Sequence, residues 1–182
     1  MKMNGKFLLR RSSLLLVGCF FLFLTSAYAT DYQKEIKQTL KETGLYSHDM
    51  YYLLLGTAAT ESDFGKITKQ VNGPALSIFQ IEPATHDDIW KNYLPSYPKL
   101  TKKINKTLWF GIPKLVQLRY NIKYATLIAY VQYKRACTKT GYTIPSHKDP
   151  WSLAWMWKKY FNTKNGKGTT TRFYQKYKEY IL

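Results

Sequence analysis

Between residues 31 and 182 the apolar positions recur at helical rather than strand spacing. From Asp31 to Thr43, Ile36 and Leu40 share one face among Lys and Glu, and Gly44 stands where such a helix would stop. Ser47 or Asp49 can cap a second helix. Met50-Tyr51-Tyr52-Leu53-Leu54-Leu55, then Ala58 and Ala59, carry it to Thr60 and Glu61. That segment is apolar on most sides, the pattern of a central, buried helix. Residues 66 to 76 read as loop, with Asn72-Gly73-Pro74 as turn chemistry. Ser77 to Ile81 is a short apolar stretch, extended or turn. Pro83 suits the first turn of a helix running through Ile89, Trp90 and Tyr93 to Leu94, broken by Pro95 and Pro98.

A basic helix from Leu100 to Leu108 follows. The stretch opened by Pro113 leads into a helix over 121 to 137, where Ile122, Ala125, Ile128, Ala129 and Gln132 mark one face. A polar loop spans Thr138 to Asp149. Pro150 starts a helix holding Trp151, Trp155 and Trp157. Asn162 to Gly168 is a Gly-containing loop, and Thr169 can cap a last helix to Tyr180. Sustained alternation of period two is lacking. The prediction is a mainly α fold, one helical domain with at most a small hairpin near 66 to 82.

The first 29 residues break this pattern. Lys2, Lys6, Arg10 and Arg11 precede the run Leu14 to Leu24, which has 11 residues and is too short for an ordinary membrane span. Ala27-Tyr28-Ala29 is a small-x-small cleavage signal, so 1 to 29 read as a secretory signal peptide cut after Ala29. A rival, Leu16-Val17-Gly18-Cys19, resembles a lipobox, but cutting there would leave Phe20 to Leu24 on the mature chain. The expectation is a periplasmic or secreted domain spanning 30 to 182, whose 153 residues suit one core.

Loss of the four signal cations takes the formal charge from +17 to +13. A field of that size attracts anionic polymers such as cell-wall carboxylates, teichoic acid, lipopolysaccharide or nucleic acid. Without Cys19, Cys137 has no disulfide partner and reads as a small core residue. His48, His86 and His147 are scattered and lack the i, i+4 pair of helical zinc sites, so no metal is expected. His86-Asp87-Asp88 reads instead as a first-turn acidic group favoured by the helix dipole.

Of the eleven carboxylates, Asp31, Glu35, Glu42 and Glu179 fall on polar faces. Glu61 ends the apolar helix. Desolvation there would raise its pKa and keep a proton available near neutrality. Asp63 would point to a different side, so the two do not form a pair flanking one bond.

Glu61-Ser62-x-x-Gly65, then Gly73-x-Ala75, then Phe79-Gln80-Ile81-x-Pro83-x-Thr85, resembles the catalytic half of the soluble lytic transglycosylase family, in the lysozyme-like superfamily. The run Gln80 to Trp90 is most similar to bacteriophage-type members. The likeness covers about 55 to 94 and continues more weakly at 122 to 137 and from Leu153 to Gly168. It implies cleavage of the MurNAc-β-1,4-GlcNAc bond of peptidoglycan with a 1,6-anhydro product and no cofactor. Glu61 would be acid and then base. Ser62, Phe79, Gln80, Tyr160 and Asn162 would bind substrate around it. The partners implied are peptidoglycan glycan strands met by a monomer, with peripheral attraction to the anionic envelope and no nucleic acid. A hydrolytic muramidase and a non-catalytic peptidoglycan-binding envelope protein stay open on the same fold. Two departures stand out. Ser77 occupies a place where the family commonly has Gly. Phe161 stands where Tyr often precedes Asn, with Tyr160 one residue earlier.

Overall fold

The computed structural model describes residues 31–162 and 166–182, so the segment read as a signal peptide lies outside the described residues. The first helix, α1, covers 31–42 and buries Ile36 and Leu40 completely. It ends where Gly44 turns at φ 63°, a left-handed conformation that glycine adopts freely. α2 runs His48–Ser62 and is capped by Ser47, whose Oγ accepts from the Met50 N–H at 3.2 Å. Asp49 accepts instead from the backbone N–H of His147.

α2 is the axis of the molecule, as its apolar sequence predicts. Leu53, Leu54, Ala58 and Ala59 are all buried, and α6 (Ile122–Thr140), α7 (Pro150–Trp157) and α8 (Thr170–Tyr180) pack around it. α8 packs tightly at Gly56, where an added Cβ would lie 2.2 Å from Phe173 Cζ. α8 can therefore lie directly on α2 only because that side chain is missing.

The segment after α2 does not become a hairpin. Asp63, Phe64 and Gly65 take positive φ in succession, and the Asp63 and Phe64 N–H groups close on the carbonyls of Ala59 and Ala58. Two isolated antiparallel bridges, Lys69 with Leu76 and Leu76 with Ile81, pinch the loop together. No strand forms among the described residues. The fold is mainly α.

α3, Pro83–Asp88, runs on through a π-helical turn at Ile89–Tyr93 and a 3₁₀ turn at Leu94–Ser96. Asp87 and Asp88 thus sit at the end of α3 and not in its first turn, against the sequence expectation. Each is held by a side chain: Asp88 pairs with Arg135, and Asp87 contacts His86 at 2.9 Å. His86 is buried, with Nε2 2.6 Å from the Tyr124 hydroxyl, which also accepts from Trp90 Nε1.

α4 is Pro98–Asn105. A separate short helix, α5, Lys114–Tyr120, precedes α6, Ile122–Thr140, which starts at an Asn121 side-chain cap. α7, Pro150–Trp157, is capped by Asp149 and passes into a second π-helical turn, Lys158–Asn162. α8, Thr170–Tyr180, starts at Thr169, as its sequence predicts. One apolar cluster joins α1, α2, α6, α7 and α8. Cys137 packs against it half-buried, and burial pushes its thiol pKa up, away from nucleophilic use.

Candidate active site

The end of α2, the pinched loop, the second π-helical turn and the start of α8 enclose a cleft of about 650 Å³. Glu61 lies on its floor. Desolvation dominates the carboxyl and lifts its pKa from 4.5 to about 7, against a hydrogen bond from Trp157 and the positive charge of Arg172. The net shift corresponds to about 3 kcal/mol favouring the neutral acid. Trp157 Nε1 donates to Glu61 Oε1 at 2.9 Å, fixing one oxygen. The other makes no protein hydrogen bond among the described residues. Arg172 is tied to the same helix end, donating from Nη2 to the Thr60 carbonyl at 3.2 Å.

Of the predicted site residues, Gln80 and Asn162 join Glu61 in the cleft. Gln80 sits in left-handed backbone at φ 47°, and its Nε2 donates to the carbonyls of Ile67 at 2.9 Å and Ser77 at 2.8 Å. This locks the loop and leaves Oε1 without a protein partner. Asn162 Oδ1 accepts from Lys158 Nζ at 2.8 Å.

Ser62, Phe79 and Tyr160 lie elsewhere. Ser62 is buried behind the acid. Its Oγ donates toward the carbonyls of Ile78 at 2.7 Å and Ala58 at 3.1 Å and accepts from the Gly65 N–H at 2.8 Å. It clips the loop to the end of α2, and its one O–H is already committed to backbone carbonyls. Phe79 is fully buried, because the left-handed residues Ser77 and Gln80 on either side turn it into the core. Tyr160, on the second π-helical turn, is absent from the cleft lining and packs half-buried against the core among Tyr142, Trp155 and Lys159, its hydroxyl buried without a hydrogen-bond partner. The same turn delivers Phe161 and Asn162 to the cleft.

Ser77 adopts φ 72°, so it keeps the backbone that glycine would take freely. A bond from the Phe79 N–H to Ser77 Oγ at 3.1 Å offsets part of that strain. Phe161 stacks on Tyr133, ring centroids 5.2 Å apart. Tyr133 is fully buried, its hydroxyl 2.7 Å from Thr57 Oγ1. Burial raises its pKa well above the usual range, and the charge of Glu61 adds to the rise. A phenol is thus present near the acid, supplied by α6 and not by the last motif.

Sequence reasoning did not single out Arg172, Tyr133 or Glu82 for this site, and placed Gln132 and Trp157 only on their helices. Gln132 lines the cleft, with its Oε1 buried and without a hydrogen-bond partner. Glu82 is an exposed second carboxylate on the cleft wall. Asp63 is not, being paired with Lys176 Nζ at 2.6 Å. Gly168 passes so close to Trp157 that an added Cβ would lie 2.4 Å from its ring, which seats the indole under Glu61. Among the described residues no group of three or more His, Cys, Asp or Glu could hold a metal ion. Compared with family models, with curated proteins and with solved structures, the chain matches none.

Proposed function

We propose that the protein is a peptidoglycan lytic transglycosylase. The observation that carries this reading is a single desolvated acid, Glu61, with a pKa near 7 at the floor of a polar cleft. A carboxylic acid half-protonated near neutrality can give its proton to a glycosidic oxygen and take one back later. In the proposed reaction Glu61 protonates the leaving oxygen as the C1–O bond breaks. The positive centre formed at C1 is captured by the 6-hydroxyl of the same sugar, which loses its proton to the Glu61 carboxylate. The products are a free 4-hydroxyl and a 1,6-anhydro end, and the acid is regenerated. Trp157 holds one carboxyl oxygen so that the other faces substrate. Gln80 Oε1, free of a protein partner, is an acceptor suited to a sugar hydroxyl or acetamido N–H group.

Glu82 favours a second reading. A carboxylate on the same cleft wall could activate water, giving a hydrolytic muramidase. Mass spectrometry of fragments released from purified sacculi separates the two, since anhydro ends lack one water. Anhydro products, abolished by Glu61→Gln and retained by Glu82→Gln, support the lyase. Reducing ends that vanish with Glu82→Gln would establish the hydrolase. Binding to sacculi without any release would overturn both in favour of a wall-binding protein.

A further inference from the structure

The loop between α4 and α5 presents apolar side chains to water on a rigid frame. Phe110 is fully exposed (103 %), Trp109 is 48 % exposed and Ile112 42 %. Val116 and Tyr120, at i+4 and i+8 from Ile112, extend this surface along α5 and are exposed too. Apolar groups in a floppy loop would be unremarkable, but this loop is braced. Gln117 is buried and accepts from the Trp109 N–H at 2.6 Å, while its Nε2 donates to the carbonyls of Ile112 at 2.6 Å and Trp109 at 3.2 Å. Asn121 Nδ2 donates to the Thr107 carbonyl at 2.7 Å. Gly111, at φ 73° with open space around it, makes the turn at the tip. Two buried amides thus hold a Trp-Phe-Gly-Ile tip outward, so its ordering cost is met before any contact is made.

Positive charge predominates around the tip, although Asp87 shares a surface groove with Pro113 and Lys114. From Ile89 to Lys148 there are twelve Lys and Arg and no Asp or Glu. Lys106 and Lys114 flank the tip and are exposed, and neither pairs with a carboxylate among the described residues. We infer that the 109–112 tip inserts into the surface of an anionic phospholipid bilayer, with the surrounding lysines on the headgroups. A convex apolar point suits a soft, deformable surface better than a preformed pocket. Aromatic side chains favour the interface, and clustered Lys and Arg favour anionic lipid. Self-association through this face would bring its excess of cations together, which disfavours a second copy as occupant. This inference concerns a surface outside the Glu61 cleft and does not depend on the proposed reaction.

The full chain, mixed with vesicles of phosphatidylcholine alone or with about one-third phosphatidylglycerol, tests it. Lipids brominated in the acyl chain should quench Trp109 on the anionic vesicles, read as the difference between wild type and Trp109→Phe. The difference isolates the tip from any binding by the N-terminal segment. Phe110→Ser, at an exposed site, should bind roughly tenfold more weakly, and added salt should release both proteins. Glu61→Gln should bind vesicles like wild type, so a failure of the catalytic reading leaves this result intact. Absence of Trp109 quenching, undiminished binding by Phe110→Ser, or capture on sacculi or a protein without quenching would each overturn the inference.

Discussion

Glu61→Gln should exchange activity for stability, to a degree set by pH. The Glu61 carboxyl has an ordinary pKa of 4.5 and one of about 7 in the fold. Below the lower value folded and unfolded chains both hold the proton, and the amide closely mimics the neutral acid. Between the two values the unfolded chain has released its proton while the folded chain keeps it, so stability falls as pH rises. Above about 7 both states are ionised and the whole penalty stands, about 3 kcal/mol at 1.36 kcal/mol per pKa unit. The amide carries no such penalty and can still accept from Trp157. At 2–4 °C per kcal/mol for a chain of this size, the variant should melt about 6–12 °C higher than wild type above neutrality. The two should coincide within about 2 °C near pH 4. His86, whose pKa is lowered chiefly by burial, costs stability as pH falls, but it is common to both proteins and cancels in the difference. Calorimetry at about pH 4, 6 and 8 reads the effect, and turnover of sacculi should fall by at least about a hundredfold. A melting difference that is flat across pH, or negative at pH 8, would refute the placement of Glu61 in a desolvated site.

Three further perturbations probe how the acid is held. Trp157→Phe keeps most of the ring but removes the donor to Oε1; because that bond favours the charged form, the basic limb of the activity profile should move to higher pH, and an unmoved limb would mean the bond does not persist in solution. Gly56→Ala should destabilise by about 2 kcal/mol as its Cβ meets Phe173, with Phe173→Leu recovering part of the loss in the double variant; strict additivity in thermal melts would count against that contact. Ser77→Gly should stay within about 1 kcal/mol of wild type, since relief of left-handed strain offsets chain entropy and the lost Oγ bond, whereas Ser77→Val should lose about 2–3 kcal/mol; equal denaturation midpoints for the two variants would contradict the positive φ at this residue.

The helices were legible because their signals are local. Ser47, Pro83, Pro150 and Thr169 announce starts within a turn of the residues they cap or open. The apolar run of α2 announces burial on every side, which is also why Glu61 at its end could be singled out as a desolvated acid. α5 was missed as a separate helix because its boundary at Asn121 depends on that residue capping the next helix. The acids of α3 were misplaced because the helix already starts at Pro83, which makes Asp87 and Asp88 its fifth and sixth residues, past the first turn.

Which side chains meet at Glu61 was decided by tertiary structure. Ser62 and Phe79 sit beside the acid or in its motif, yet hydrogen bonding and left-handed backbone turn them inward. Trp157, Arg172 and Gln132 arrive from α7, α8 and α6, distant in sequence, and their approach depends on α8 lying over Gly56 of α2 and on Gly168 lying against the Trp157 ring. Sequence alone determined that an acid would end a buried helix, since burial there follows from the apolar residues before it. How far its pKa rises, and which donor holds it, depend on atoms brought together by packing between helices, and no local pattern encodes that.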